Sequence, residues 1–315
     1  MKPRPGPAPR RVAAVINADA STLKTADIDA LETAIRAALG AGGHTVDLAR
    51  CEGAELVATL NEAAGSAEHD AVLIAGGDGT VSLAAGLCAQ AGKTLVVVPG
   101  GNMNLFARSL GLPLDPLAAA EALGRAETRK VDIAYAGDRP FIHELSLGLH
   151  PELIEERDRR RYGSRLGKLV GTARAALKLI QRPPHVRIWL DTGDGARAVD
   201  TPGLAISNNM LGSGHLPYAD RLDQGVLGVY VVTSDRPADV AALATGLQTG
   251  TWQELDFVRC ERARSVRVMR WRSMKAAIDG ELVRLEGPVD IRIAPGALSV
   301  LAPVDRSVGA VRQTD

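Results

Sequence analysis

The sequence has few cysteines, no long apolar run and no net charge. Each absence excludes or disfavours some classes of protein. Cys51, Cys88 and Cys260 are its only cysteines and form no C-x-x-C pair, which is typical of buried reduced thiols in a reducing compartment. No apolar run approaches the roughly 20 residues that a membrane-spanning helix needs. Because 37 basic side chains balance 37 acidic ones, a nucleic-acid binder that relies on a basic surface is disfavoured. We therefore expect a cytoplasmic protein with no nucleic-acid partner.

The length and composition indicate two globular domains. A chain of 315 residues is longer than one average domain and long enough for two. Its 46% hydrophobic residues are sufficient to form their cores. Residues 1–10 are basic and rich in proline, and the apolar run after them is too short for a signal peptide. We interpret them as a disordered leader ahead of the first strand.

Residues 11–134 show the pattern of an α/β domain with a mostly parallel sheet. Short apolar runs alternate with segments of helical periodicity, which is typical of buried strands that are each followed by a helix. Asp27 or Thr25 could cap the first helix, and Gly40 lies beyond its expected end. The expected strands are 12–16, 44–49, 70–75 and 94–101, and the expected helices are 25–40 and 54–64.

Residues 135–296 have the texture of an antiparallel β domain. Short β-like runs follow one another from Phe141 to Ala294, separated by Gly, Pro and Asp. A helical insert, 151–182, interrupts them. We expect 297–315 to form a C-terminal strand and tail. A return of this strand to the first domain is one of the arrangements left open.

The segment Gly76-Gly77-Asp78-Gly79-Thr80 lies where a buried strand ends and a helix is expected to begin. Glycines at such a turn let backbone N–H groups approach phosphate oxygens, and the helix N-terminus adds partial positive charge. A carboxylate would repel bare phosphate. Asp78 is therefore best explained by an interaction with Mg²⁺ or by a part in proton transfer. An ordinary Gly-rich turn with Asp78 as N-cap is the alternative. The Walker loop is excluded because no G-K-[ST] follows.

A second polar glycine turn follows the next strand, over residues 99–108. The carboxyl ends of neighbouring parallel strands flank one crevice, where ligands usually bind, so we expect both turns to face one ligand. Helix capping is the alternative explanation for Asn102 and Asn104, and it accounts for one of them more readily than for both.

Together these motifs resemble the diacylglycerol-kinase catalytic family, which includes bacterial lipid kinases and sphingosine kinases. The resemblance covers residues 11–303. It implies a Rossmann-like α/β domain of the NAD-kinase and phosphofructokinase type, followed by an antiparallel β-sandwich-like domain with a helical insert. The matching segments are GGDGT at 76–80, P-x-G-x-x-N-x-x-A-R at 99–108, Asp132, Ser146-x-Gly148 and Asp279-Gly280-Glu281.

The resemblance implies a kinase that transfers the γ-phosphoryl group of ATP, with Mg²⁺, to a lipid hydroxyl such as that of diacylglycerol. Glu281 would be the base, facing the glycine turns across an interdomain cleft, and Asp132 would tune it or relay its proton. Asp78 would act at the metal and the phosphates. The alternative for Glu281 is an exposed turn glutamate. The alternatives for Asp132 are a surface carboxylate at a strand end and a capping residue. The nucleotide would contact Asn17, Gly76, Gly77, Asp78, Gly79, Thr80, Gly101, Asn102 and Asn104.

Several positions depart from the pattern of the family. Residues 17–21 read N-A-D-A-S where the family has N-P-x-[SA]-G, and Asn102 replaces a threonine. His143 and Glu144 stand in place of two asparagines. A packed core histidine is a simpler explanation of His143 than a catalytic one.

The resemblance also implies a structural Mg²⁺ site in the segment 222–227. Gln224 replaces the acidic ligand that is expected there, and its neutral carbonyl oxygen is a poorer partner for a hard dication. The backbone carbonyls of Arg221 and Val226 would complete the set of ligands, and Asp223 could serve instead of Gln224.

A basic stretch in the helical insert suggests where the protein would meet a membrane. Apolar residues recur there at helical spacing beside a cationic face, which fits docking on an anionic lipid surface. A core-packed helix with a solvated face is the alternative. Because a lipid kinase must reach its substrate, we favour peripheral binding at the inner face of the membrane, and a homodimer is left open. The residues concerned are Arg159, Arg160, Arg161, Arg165 and Lys168.

Two other functions stay open. A NAD-kinase-like enzyme would also carry GGDGT, although the second glycine turn and the D-G-E follow the lipid-kinase layout. A catalytically inactive lipid-binding or regulatory relative would explain the substitutions at Ala18, Asn102 and Gln224. The presence of Asp78, Asp132 and Glu281 argues against such a relative.

Overall fold

The computed structural model describes residues 11–158, 176–270 and 273–303, and the chain forms two compact units. One unit comprises Met1–Ile133 together with Pro295–Asp315, and the other comprises Ala134–Ala294. The expected leader, residues 1–10, lies outside the described part of the chain.

A parallel sheet forms the centre of the first unit. Its strands are β1 (Arg11–Asn17), β2 (Thr45–Cys51), β3 (Ala71–Gly76), β4 (Thr94–Pro99) and the last part of β16 (Val289–Pro303). They run in the order β2-β1-β3-β4-β16. Every residue of β3 and β4 is buried, as expected for central strands covered on both faces. The α/β class predicted from the sequence is confirmed.

Five helices accompany this sheet. They are α1 (Ile28–Ala41), α2 (Glu55–Gly65), α3 (Asp78–Ala91), α4 (Leu105–Leu110) and α5 (Pro116–Ala122). On α1, the side chains of Leu31, Ile35 and Leu39 are buried in the core of this unit. Asp27 caps the N-terminus of α1, which is one of the two caps predicted from the sequence. The expected end before Gly40 is wrong, because one glycine costs a helix only about 1 kcal/mol and the next residue still continues it.

Two antiparallel sheets form the second unit. One runs in the order β12-β11-β10-β7-β14-β15, and the other contains β16-β13-β8-β9 together with the β5–β6 pair. A single apolar core takes side chains from both sheets, among them Leu147, Ile206, Ile188 and Val268. The predicted antiparallel β domain is confirmed. The strands are β5 (Ala126–Ala136), of which only the last part belongs to this unit, β6 (Arg139–Phe141), β7 (Glu144–Gly148), β8 (Val186–Asp191), β9 (Arg197–Thr201), β10 (Gly203–Asn208), β11 (Leu227–Val232), β12 (Val258–Ala263), β13 (Ser265–Met269), β14 (Met274–Ile278) and β15 (Glu281–Leu285).

Helices α6 (Leu149–Asp158) and α7 (Pro237–Thr249) also belong to the second unit, and residues 176–181 are helical. The sequence analysis did not predict α7, although proline opens its first turn and a left-handed glycine follows its end. The middle of the predicted helical insert, 159–175, lies outside the described residues.

Candidate functional site

The first glycine turn leaves the N-terminus of α3 without a side-chain cap. Strand β3 ends at Gly76, and Gly77 occupies the N-cap position of α3, where it has no side chain to offer. The N–H groups of the first helical turn therefore receive no cap bond. An uncapped helix N-terminus at the carboxyl end of a buried strand is suited to bind an anionic group.

Asp78 joins the two glycine turns. Its Oδ2 accepts a hydrogen bond from the N–H of Asn104 at 2.8 Å, and its Oδ1 accepts one from the N–H of Leu105 at 2.7 Å. Leu105 begins α4, so the carboxylate also meets the positive end of that helix. The alternative in which Asp78 caps its own helix is wrong, because Gly77 holds that position. Both carboxylate oxygens thus have a structural task that the sequence analysis missed.

Asn104 shapes the second turn from within. Its backbone is left-handed, with φ at 51°. Its Oδ1 accepts from the N–H of Gly101 at 2.9 Å, and its Nδ2 donates to the carbonyl of Gly101 at 2.8 Å. Only 7% of the residue is exposed. The side chain of Asn104 is therefore occupied with its own turn, and a nucleotide would meet the backbone that it holds in place.

The two glycine turns touch through their backbones. A Cβ added at Gly101 would lie 2.8 Å from the Cα of Gly77, which is closer than real Cβ atoms come to another atom. Only glycine fits at position 101 for this reason. The expectation that both turns lie together is therefore met by direct contact.

A third segment, residues 17–25 after β1, completes the cluster. The amide of Asn17 donates to Thr80 Oγ1 at 3.2 Å, which links β1 to the first turn. The hydroxyl of Ser21 donates to Asn102 Oδ1 at 3.0 Å, and that of Thr22 donates to the carbonyl of Gly101 at 3.1 Å. The roles of Ser21 and Thr22 were not predicted from the sequence, because their hydrogen-bond partners are about 80 positions away in the chain.

Asp132 is buried in the first unit, with 2% of the residue exposed. Its Oδ1 accepts a hydrogen bond from the N–H of Gly296 at 2.8 Å. The alternative of a surface strand-end carboxylate is wrong. Asp132 ties β5 to the start of the returning C-terminal segment.

Glu281 opens β15 in the second unit, directly after a tight turn. Asp279 and Gly280 both have positive φ, 48° and 83°, as the D-G-E pattern had suggested. The side chain of Glu281 is 61% exposed, and its Oε2 lies 2.6 Å from a guanidinium nitrogen of Arg139. This ion pair, across 142 positions of sequence, gave no sequence signal.

The turn before Glu281 is held by three backbone hydrogen bonds. The carboxylate of Asp279 accepts from the N–H groups of Ile142, His143 and Glu144, at 2.9, 2.9 and 3.0 Å. Three such donors fix both the turn and the segment that precedes β7. The rigid strand start inferred for Glu281 from the sequence is present.

Glu144 is the centre of a partly buried ionic cluster beside this turn. His150 Nδ1 lies 3.0 Å from its Oε1, and the Oγ of Ser146 lies 2.8 Å from the same nitrogen. Burial alone would raise the pKa of Glu144, but the hydrogen bond from His150 and the charges of His143 and His150 outweigh it and lower the pKa to about 2. The sequence analysis noted His143 and Glu144 only as departures. The interpretation of His143 as a packed histidine fits its position next to this carboxylate.

The loop expected to hold a structural cation is closed by contacts within the protein. Asp223 Oδ1 lies 3.0 Å from Nε of Arg221. The N–H of Gln224 donates to Asn209 Oδ1 at 2.8 Å, and the carbonyl of Val226 accepts from the N–H of Asn209 at 3.1 Å. In the part of the chain that the structure describes, no group of three or more His, Cys, Asp and Glu side chains could hold a metal. These donors fit a dication poorly, and a cation at this loop stays a prediction.

The membrane-docking residues of the sequence analysis, Arg159, Arg160, Arg161, Arg165 and Lys168, lie outside the described residues. Docking through them stays a prediction. Among the helices of residues 11–158, 176–270 and 273–303, none has the length and apolar character to cross a bilayer.

Two family models match parts of the chain. Residues 11–136, with both glycine turns and Asp132, match the model of the diacylglycerol kinase catalytic domain. Residues 168–302 match a second model, the YegS C-terminal NAD kinase beta sandwich-like domain. The resemblance inferred from the sequence is confirmed.

The similar proteins are distant in sequence. A diacylglycerol kinase of Staphylococcus epidermidis is 28% identical over 227 residues, which are 70% of this chain and 70% of that protein. An uncharacterized protein of Synechocystis is 25% identical over 76% of this chain, and the match spans only 57% of that protein's length. The crystal structure of a diacylglycerol kinase from Bacillus anthracis shares the fold, with a TM-score of 0.70 and 17% identity over 95% of this chain and 99% of its own.

Proposed function

We propose that this protein is a lipid kinase that transfers the γ-phosphoryl group of ATP, delivered with Mg²⁺, to a hydroxyl group of a membrane lipid such as diacylglycerol. The observation that carries the proposal is the clasp by which Asp78 holds both glycine turns together at the uncapped N-terminus of α3. Because the donors are fixed before the ligand arrives, phosphate binding requires little reorganisation.

Three segments of the first unit would hold the nucleotide. The backbone of residues 76–80 and 99–104 would face the phosphates, and Asn17 and Thr80 keep the first turn against β1. Asp78 and Asn104 act from behind by setting the shape of these turns. Mg²⁺ bound with ATP supplies neutralisation of the phosphate charge.

Glu281 is the proposed acceptor of the proton from the lipid hydroxyl. Its carboxylate follows a turn that Asp279 braces, and it forms an ion pair with the guanidinium of Arg139. Arg139 is thus a positioning residue for Glu281. Asp132 is proposed to fix the chain where it re-enters the first unit, rather than to act on the substrate directly.

The protein would work from the cytoplasm as a peripheral protein at an anionic membrane surface. Five basic residues of 159–168 support this proposal by their charge and spacing. They are Arg159, Arg160, Arg161, Arg165 and Lys168.

The proposal is tested by incubating purified protein with γ-labelled ATP and Mg²⁺ in vesicles that contain a mixed lipid extract. We expect label in a lipid product that mass spectrometry identifies as a phosphorylated hydroxyl lipid. A parallel reaction with NAD separates a NAD-kinase-like enzyme from a lipid kinase. Label in neither acceptor would support an inactive lipid-binding relative and contradict the proposal.

The Glu281→Gln variant tests the assigned chemistry in the same assay. It retains the size and hydrogen-bonding shape of the side chain but removes the proton acceptor, so turnover should fall by ~10²-fold or more. Binding of ATP should change little, since the glycine turns supply most of the proposed phosphate contacts. Near-normal turnover would overturn the role of Glu281 while leaving the proposed activity intact.

A further inference from the structure

The segment that links β1 to α1 lies against both glycine turns. Besides the bonds of Asn17 and Ser21, the N–H of Thr22 donates to the carbonyl of Gly100 at 3.0 Å. The side chain of Leu23 packs so closely that a Cβ at Gly100 would lie 2.8 Å from it. The next residue, Lys24, is therefore carried on a backbone that is fixed against the candidate phosphate site.

Lys24 forms an ion pair with Asp19 of the same segment. Its Nζ lies 3.2 Å from Asp19 Oδ1, and both side chains are about half exposed, at 58% and 49%. The other oxygen, Oδ2, accepts from the N–H of Gly53 at 2.9 Å, and the N–H of Asp19 donates to Asn17 Oδ1 at 3.1 Å. Lys24 and Gly53 together hold the pKa of Asp19 below its usual range. Asp19 is thus anchored by backbone bonds that do not involve the lysine, whereas the flexible stem of Lys24 leaves its ammonium group able to move.

Cationic side chains are scarce in the three segments that form the site. Within residues 11–25, 76–80 and 99–108, which the structure describes in full, the basic residues are Arg11, Lys24 and Arg108. Arg11 starts β1, at the opposite edge of the sheet, and pairs with Asp47. Arg108 donates from Nε to the carbonyl of Met103 at 2.8 Å. Lys24 is the basic residue of these segments that pairs with Asp19, whose N–H donates to the side chain of Asn17.

We infer that Lys24 is a phosphate-binding residue for a nucleoside polyphosphate, and that Asp19 holds its ammonium group until the phosphates displace it. This inference rests on the proposed nucleotide site and adds to it a residue that selects by ligand charge. Exposed ion pairs contribute little to stability, so the exchange costs little. Bonds between an ammonium group and phosphate oxygens are stronger, because both partners are charged. The competition favours ligands with several phosphates over a monophosphate.

Isothermal titration with MgATP and with AMP tests the role of Lys24. We expect Lys24→Gln to weaken ATP binding by about 10-fold or more, the usual cost of losing a charged hydrogen bond, and to weaken AMP binding much less. Lys24→Arg should retain most of the affinity for ATP.

Arg125→Gln is the matched control, because it also removes one exposed positive charge from the first unit. The neighbouring residue, Gly124, lies beside Ala38 in the last part of α1, whereas the candidate site precedes the first residue of that helix. The Arg125→Gln variant should bind ATP with the affinity of the wild type. If Arg125→Gln lost as much affinity for ATP as Lys24→Gln, the effect would be one of general surface charge, and the inference would be overturned.

Asp19→Asn tests the competition itself. Asparagine retains an oxygen that can accept the Gly53 N–H, but it no longer holds the ammonium group, so ATP should bind more tightly, by about 3-fold. In the Lys24→Gln background the same change should have a much smaller effect. Equal effects in both backgrounds would show that Asp19 acts without Lys24 and would overturn the exchange.

The two proposals fail in different ways. Wild-type protein that binds neither MgATP nor AMP would refute the nucleotide site, and the inference with it. Wild-type protein that binds MgATP, with unchanged affinity in Lys24→Gln, would refute the role of Lys24 and leave the nucleotide site standing. Melting temperatures of all variants show that each measurement concerns folded protein.

Discussion

At the scale of single residues, the sequence indicates which side chains gather at the site but not what each one contacts. Asp78 was predicted to act on metal and phosphate, and the structure gives both of its oxygens to backbone N–H groups 26 and 27 positions away. A motif records residue types at fixed spacing. It carries no information on which distant backbone groups a carboxylate will meet, so the clasp could not be predicted.

Asp78→Asn separates the clasp from a purely chemical role. An amide retains one acceptor oxygen and loses the other, so one of the two hydrogen bonds to the second turn should be lost. We expect a loss of about 1–3 kcal/mol in the free energy of unfolding, the range for a hydrogen bond to a charged group, together with weaker binding of MgATP. Urea denaturation and titration calorimetry measure the two effects. Full stability with lost turnover would instead favour a role at the metal and phosphates alone.

Glu144 should make stability depend on pH in the acid range. Its pKa is about 2 in the folded protein against an ordinary value of 4.5, so its contribution is complete above about pH 4.5 and is lost as the pH falls toward 2. Glu144→Gln should therefore be less stable than the wild type by up to about 3 kcal/mol at pH 6. Chemical denaturation at pH 6 and pH 3.5 should show this difference shrinking. A difference that is constant over the range would rule out the ionic cluster as its cause.

At the scale of elements, apolar patterning predicted most strands and the first two helices, while mixed or polar segments escaped it. The fully apolar runs of β3 and β4 were recognised because both faces of these strands are buried. β9 and β12 carry charged residues and several exposed positions, and they are strands because their neighbours provide pairing partners. Such pairing is a property of the sheet, and a local sequence pattern does not contain it.

Gly101→Ala tests the contact between the two glycine turns. The new methyl group would lie 2.8 Å from the Cα of Gly77, so one turn must move. Overpacking of this kind typically costs about 1–3 kcal/mol, and we expect MgATP binding to weaken as well. Gly40→Ala is the control, since that position within α1 is open and alanine should stabilise the helix by about 0.5–1 kcal/mol. Unimpaired ATP binding in Gly101→Ala would show that the contact is not needed for the site.

At the scale of the whole molecule, the order of the motifs along the chain was enough to predict the family and both domain types. That success has a physical basis, since a glycine turn at the carboxyl end of a buried strand fixes the architecture around it. The substrate and the membrane contact do not follow in the same way. Apolar side chains are interchangeable in lipid pockets, and a charged helix can face water as well as lipid.

Membrane binding is expected to depend on the basic stretch. Replacement of Arg159, Arg160 and Arg161 by Glu should reduce co-sedimentation with vesicles that contain anionic lipid, because attraction turns into repulsion near the surface. Added salt should weaken wild-type binding in the same assay. Neutral vesicles serve as the control. Sedimentation that the three substitutions leave unchanged would place docking elsewhere on the protein.

The strand β16 has a consequence for how the protein is made. Its residues 299–301 pair with β4, so the sheet that carries the glycine turns gains this strand only after these residues have been synthesised. Ribosomes add ~5–20 residues per second, so the passage of Ala134–Ala294 leaves β4 as an unpaired edge for roughly 10–30 s. An apolar strand with an open edge is prone to aggregate. The nascent chain therefore presents a substrate for chaperones during that interval, and its yield in cells should respond to their supply.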